Sequence, residues 1–200
     1  MKSSPLPNIG SPRVADTSHR SVPDVAQRPS RIAGVLAQKR VPLGFVTAIV
    51  TAILAAPTWG SWRAGLLVAL IGEAIRIWAA GHLEKGREVT RSGPYRWTGH
   101  PLYVGSSVLA LGVVIAAHSV IVFVLTLIYM VSTLTAAVRT EEAFLRGRFG
   151  SAYEDYRRSE GADMNRRFSL ARAWRNKEYR AVIGIVIGFA FLALRVLTPI

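Results

Sequence analysis

Ser92-Gly93-Pro94-Tyr95-Arg96-Trp97-Thr98-Gly99-His100-Pro101-Leu102-Tyr103-Val104-Gly105 lies between two long apolar runs. It crowds a Gly-Pro turn, a His-Pro pair, three aromatic rings and an arginine against the ends of those runs. A loop that only joins two helices needs a few polar residues and one breaker. Ring faces, an imidazole and two fixed turns give this one the content of a binding surface. The runs on either side decide the fold.

Five apolar runs occur in the 200 residues, at about 41–57, 62–83, 102–118, 119–138 and 181–197. A hydrocarbon core about 30 Å thick takes roughly 20 helical residues, with about 17 as the lower limit. In hydrocarbon only a helix or a closed barrel satisfies its own backbone. The runs lack strict alternation, so they read as helices. The expected fold is an all-α polytopic membrane bundle of about five transmembrane helices. The expected domains are a disordered basic tail over 1–40 and a membrane domain over 41–200.

Charge supports this layout. The net charge is +13, and 22 of the 25 Lys and Arg residues fall in 1–40, 84–101 and 139–180. An even number of crossings separates each pair of these segments, so all three share one side. Basic loops stay in the cytoplasm, which puts the N-terminus and the 84–101 loop inside and the C-terminus outside. The same distribution argues against nucleic acid, and the basic tail over 1–40 is expected to rest on anionic membrane lipid. No early apolar run follows Met1-Lys2, so no signal peptide is expected. The chain has no cysteine, which removes disulfides, thiolate metal sites and a thiol nucleophile.

Within the second run, Glu73 and Arg76 share a helix face at i, i+3. Charges at that depth face a bundle interior. They read either as an internal ion pair that fixes packing, or as a place where Arg76 lines a polar cavity and binds substrate. Gly105, Ser106, Ser107 and Gly112 give the third run a small face suited to close helix packing. After the fourth run, Arg139, Glu141, Glu142, Arg146 and Arg148 alternate with Phe144, Leu145, Phe149, Tyr153 and Tyr156 at helical spacing. That pattern predicts an interfacial helix on the cytoplasmic face, with Gly150 as a breaking point.

There is no phosphate-binding Gly-Lys-Ser/Thr loop, no Gly-x-Gly-x-x-Gly and no serine elbow. No His-rich helix motif is present, so no metal is expected. What remains on the cytoplasmic face is His100 with Tyr95, Trp97 and Tyr103, opposite Arg139, Glu141 and Glu142. Pro101 suits a first helical turn, whose free amides hold an anion such as a carboxylate. Paired acids hold an ammonium, and aromatic faces attract a sulfonium. S-adenosylmethionine carries all three groups. Each part also has a plainer reading: His100 as a loop bridge, the rings as an interfacial belt, the acids as a solvated helix start.

At these residues the chain resembles the isoprenylcysteine carboxyl methyltransferases and the related phospholipid methyltransferases, over about residues 66–158. The resemblance rests on Gly72-Glu73-Ala74-Ile75-Arg76-Ile77-Trp78-Ala79-Ala80-Gly81, on the Ser92–Gly105 stretch, and on Glu141-Glu142-Ala143-Phe144-Leu145 followed by Phe149-Gly150-Ser151-Ala152-Tyr153-Glu154-Asp155-Tyr156. It implies an integral membrane methyltransferase that uses S-adenosylmethionine on a lipophilic or lipidated acceptor entering sideways from the bilayer. By the same resemblance Gly93, Tyr95, His100, Pro101 and Tyr103 would wrap the cofactor. Glu141 or Glu142 would hold its amino group or close the pocket, and Arg139 would orient an acceptor carboxylate near the reacting centre. An amine or thiol acceptor would need a base, a role open to Glu142 or His100. The chain departs from the family pattern in two places. Gly99 stands where arginine usually precedes His-Pro, and the segment after 158 lacks a clear Val-Pro-Arg ending, with Asn165-Arg166-Arg167-Phe168 the nearest match. Three alternatives stay open: a phospholipid amine acceptor, a small-thiol acceptor, and a non-catalytic membrane protein that keeps the fold.

Overall fold

The computed structural model describes residues 31–158 and 165–198. Among them there is no strand. The helices run α1 (Arg31–Leu54), α2 (Trp59–Ala80), α3 (Pro101–Ala117), α4 (Val120–Phe149), α5 (Ser151–Arg157), α6 (Leu170–Arg175) and α7 (Tyr179–Leu197), with a 3-10 turn at Gly93–Arg96 between α2 and α3. The expected all-helical fold is what is observed, and each apolar run forms a helix. Two helices, α4 and α7, are long and apolar enough to cross a membrane by length and composition. Val41–Leu54 and Pro101–Ala117 are shorter apolar helices, and α2 carries Arg63, Glu73 and Arg76 along its 22 residues.

Two boundaries differ from the sequence reading. The first 30 residues of the expected tail lie outside the described residues. Its remainder, from Arg31, is already the start of α1, where Ala33, Leu36, Ala37, Gln38 and Lys39 are good helix formers. The charged segment after residue 138 is also not a separate helix. It continues α4 without a break to Phe149, because no glycine or proline interrupts 120–146. The chain turns only at Gly150, whose φ of +49° suits a residue without Cβ. The short α5 follows.

Local signals set the other ends. Thr58 caps α2 by accepting from the Ser61 N–H, and Ser61 returns a bond to the Thr58 N–H. Pro101 stands at the first turn of α3, where a missing N–H costs nothing. His118 adopts the left-handed conformation that closes α3, and Ser119 caps α4 at once. This two-residue connection makes α3 and α4 an antiparallel pair.

The central contact is between α2 and α3. Gly65 and Gly72 on α2 meet Gly112 and Gly105 on α3, each pair two helical turns from the next. A Cβ added at Gly72 would stand 2.7 Å from the Gly105 carbonyl oxygen and 2.8 Å from the Leu109 Cα. Ala69 and Ala116, fully buried, fill the space between. Small residues let the backbones approach and gain dispersion contact along their length. Where α1 and α3 end and α4 begins, Ala55, Ala117, Val122, Ile185, Phe189 and Leu192 form an apolar cluster. The Trp62 indole N–H donates to the Phe189 carbonyl at 2.9 Å, and Arg195 donates to the Ala55 carbonyl at 2.9 Å. These bonds fasten α7 to α2 and to the end of α1.

A candidate cation site at the foot of the α3–α4 groove

The loop 92–100 is shaped by what lies beneath it. Gly93 has φ +57°, and a Cβ there would stand 2.7 Å from the ring of His82, which is buried. His82 is held by a 3.0 Å contact between Nδ1 and the Trp78 carbonyl. Gly93 is therefore required for the loop to lie down on the end of α2. Tyr95 is buried next. Burial, with the Glu141 charge adding to it, pushes its phenol above the ordinary range, so it stays neutral. From the far side α5 closes over the loop. Tyr156 donates to the Tyr95 carbonyl at 2.8 Å, and Arg91 donates to the Ala152 carbonyl at 2.7 Å while lying over the Tyr156 ring.

The loop delivers His100 to α4. Its Nδ1 is 3.7 Å from Glu141 Oε2 and its Nε2 is 3.6 Å from Glu142 Oε1. One imidazole thus stands between two carboxylates. The Tyr103 ring stacks on it, and the Tyr103 hydroxyl donates to Glu141 at 2.8 Å. The Glu141 carboxylate is the main cause that holds the His100 pKa above its usual value, with Glu142 adding to it and burial opposing. For Glu141, burial pushes upward, but the His100 and Tyr103 contacts outweigh it and leave the carboxyl below the usual range. Glu142 also meets Arg146 at 3.6 Å, and Arg146 meets Glu154 on α5 at 3.0 Å. Burial raises the Tyr153 phenol to about 12.

This cluster sits at the foot of a cavity of about 400 Å³ lined by His100, Tyr103, Val104, Ser107, Leu134, Thr135, Val138 and Arg139. A second cavity of about 340 Å³ shares Ser107, Leu134 and Thr135 and continues between α3 and α4 to Val114 and Phe123. Together they form one groove. Its foot is formed by His100, Tyr103 and Arg139, with Glu141 and Glu142 beside His100, and its walls above are apolar.

Of the residues singled out from the sequence, the structure brings together His100, Tyr103, Arg139, Glu141 and Glu142. Pro101 is buried as the first residue of α3, and Gly93 and Tyr95 support the loop from below. Arg76 is elsewhere. Its guanidinium bonds Ser106 at 2.5 Å and Glu178 at 2.8 Å and stands 3.3 Å from Glu73. It joins α2, α3 and the start of α7 and does not line the groove. Arg91, Arg146 and Tyr156 were not singled out as site residues. The tyrosine spacing in 149–156 was visible, but not that it would close on the 92–98 loop. A side chain at Gly99 would have room, since a Cβ there meets nothing nearer than the Tyr156 ring at 3.9 Å.

No curated protein and no solved structure matches the chain. The family model of the phospholipid methyltransferases does match, over residues 63–152. That span takes in nearly all of α2, the whole His100 loop, α3 and α4, and the first residues of α5. Over this stretch the chain is similar to the phospholipid methyltransferases, and the stretch overlaps the one on which the sequence resemblance rests.

Proposed function

We propose that the chain is a multi-pass membrane enzyme that transfers a methyl group from S-adenosylmethionine to a lipophilic acceptor at the cytoplasmic face. The observation that carries this reading is the imidazole between two carboxylates at the foot of an apolar groove. The donor set fits the cofactor. Glu141 and Glu142 can take its ammonium, and the Tyr103 ring offers a face to a sulfonium. When bound, S-adenosylmethionine supplies an electrophilic methyl group attached to a positively charged sulfur.

The chain's own groups do the rest. The loop, α3 and α4 hold the reacting partners in line and keep water out, which is worth about 7–11 kcal/mol at best. The groove walls take the hydrocarbon of the acceptor, which enters from the bilayer between α3 and α4. A phospholipid amine accords with the matched family. Such an acceptor must lose a proton as the methyl arrives, and a carboxylate of the Glu141–Glu142 pair can receive it. A prenylated carboxylate acceptor is the second reading, favoured by Arg139 at the groove foot. It is already ionised and needs no base. The five-span layout, with the N-terminus inside and the C-terminus outside, goes with this reading and rests on the distribution of Lys and Arg.

Calorimetry in detergent tests the cofactor. S-adenosylmethionine and its demethylated product should both bind, and His100→Ala and Glu142→Ala should each weaken that binding about tenfold or more. Absence of binding by the parent chain would defeat the enzymatic reading. An acceptor screen with a labelled methyl donor then separates amine from carboxylate acceptors.

A further inference from the structure

The matched family segment ends at residue 152, yet the chain returns to it. The strap 165–178 is sewn to the loop 81–90 from one side. Arg172 bonds Glu84 at 2.8 Å and the Gly81 carbonyl, and Arg175 meets Glu84 at 3.3 Å. Arg166 pairs with Glu88 and donates to the His82 carbonyl at 3.2 Å. Asn176 donates to the Ala80 and Leu83 carbonyls. The Phe168 ring packs on Gly81 and His82. Arg172 is the leading cause that holds Glu84 below the usual carboxylate range.

The acids of that loop are consumed by these pairs. The other side of the strap is left cationic. Arg167, Lys177 and Arg180 are exposed and carry no ion pair among the described residues. The one acid in 165–180, Glu178, is buried against Arg76. Leu170 and Trp174, at i and i+4 on α6, are 67% and 65% exposed, and Trp174 stacks on Tyr179 at 4.8 Å. Exposed apolar residues beside unpaired cations, where the chain passes from α6 into the apolar helix α7, have the composition of a membrane-surface element.

We propose that the strap 165–178, together with the first turn of α7, is a docking surface for anionic lipid. Arg167, Lys177 and Arg180 take acidic headgroups, and Leu170 and Trp174 enter the interfacial layer. Lipid bound there steadies the strap, and the strap holds the loop that leads into Gly93 and His100. The proposal needs α7 to lie in a membrane; it does not depend on methyl transfer.

The test uses the full chain in nanodiscs with spin-labelled phosphatidylglycerol or phosphatidylcholine as probe, reading the immobilised fraction of each. The parent chain should hold phosphatidylglycerol in preference, and high salt should weaken the preference. Each cation removed should cost about fivefold in relative affinity, so Arg167→Glu with Lys177→Glu and Arg180→Glu should abolish it. Leu134→Trp, which fills the α3–α4 groove, should leave it unchanged. Should the triple variant fail to fold, Lys177→Gln and Arg180→Gln singly, with the salt series on the parent, give the same reading. Equal association of the two lipids with the parent would overturn the proposal. So would a preference that survives the charge changes, or one removed by Leu134→Trp, which would move the lipid to the groove.

Discussion

The helix α3 treats its neighbours α2 and α4 differently. Toward α2 it presents Gly105 and Gly112, and the backbones touch. Toward α4, its immediate partner in sequence, it leaves a groove walled by Val104, Leu111, Leu134 and Val131. A shared two-residue turn does not make a shared interface; side-chain size does. The glycine face cannot open without losing contact along its whole length. The groove face has no such contact to lose, so one helix carries both a closed face and an open one.

The largest effect should come from the closed face. Gly72→Leu places side-chain atoms where the Gly105 and Leu109 backbones stand and should cost about 3 kcal/mol, at the upper end of overpacking penalties. The thermal midpoint in detergent should fall sharply. A midpoint close to the parent's would mean that the α2–α3 contact is not the scaffold.

The foot of the groove comes next. Glu142→Ala should weaken binding of the methyl donor about tenfold or more, in line with loss of a hydrogen bond to a charged group. Its stability should change little, because Arg146 keeps Glu154 as a partner. Higher in the groove, Leu134→Trp should leave the thermal midpoint within the usual range of surface substitutions, about 0.5 kcal/mol. It should raise KM for long-chain acceptors while sparing donor affinity. A similar midpoint loss in Leu134→Trp and Gly72→Leu would erase the contrast between the two faces.

The imidazole gives a pH signature. The folded-state pKa of His100 is raised, so its stabilising contribution is complete below the unfolded value of about 6.5 and is lost as pH rises through the folded value. Glu141 is lowered, so its contribution is present above about 4.3 and is lost as pH falls through its folded value. The parent should therefore lose stability as pH rises from about 6.5 through the folded-state value to a degree that His100→Gln does not. Parallel pH profiles of the two proteins would refute the pairing. The smallest effect is expected from Gly99→Arg. The open space at this position predicts a midpoint within about 0.5 kcal/mol of the parent, and donor calorimetry shows whether the added cation tightens binding.

How much of this was legible follows from what each residue needs. Pro101 and the apolar runs announced α3 because capping and hydrophobic length are local properties. The pairing of His100 with Glu141 and Glu142 was foreseeable once both ends of a helical hairpin were assigned to one side. Arg76 was not so readable. Its partner Glu178 lies 102 residues away, in a segment without a periodic pattern, and only the return of the chain joins them. The continuation of α4 past Arg139 was hidden for the opposite reason. Charge marked a change of environment, while helix propensity ignored it.

The open groove between α3 and α4 bears on what concentration means under the proposed function. On that reading, an acceptor dissolved in the leaflet would meet the opening in two dimensions, so its mole fraction among lipids would govern how often the groove is filled. Adding detergent at a fixed molar amount of acceptor should then slow turnover by dilution within the micelle surface, with the protein itself unaltered.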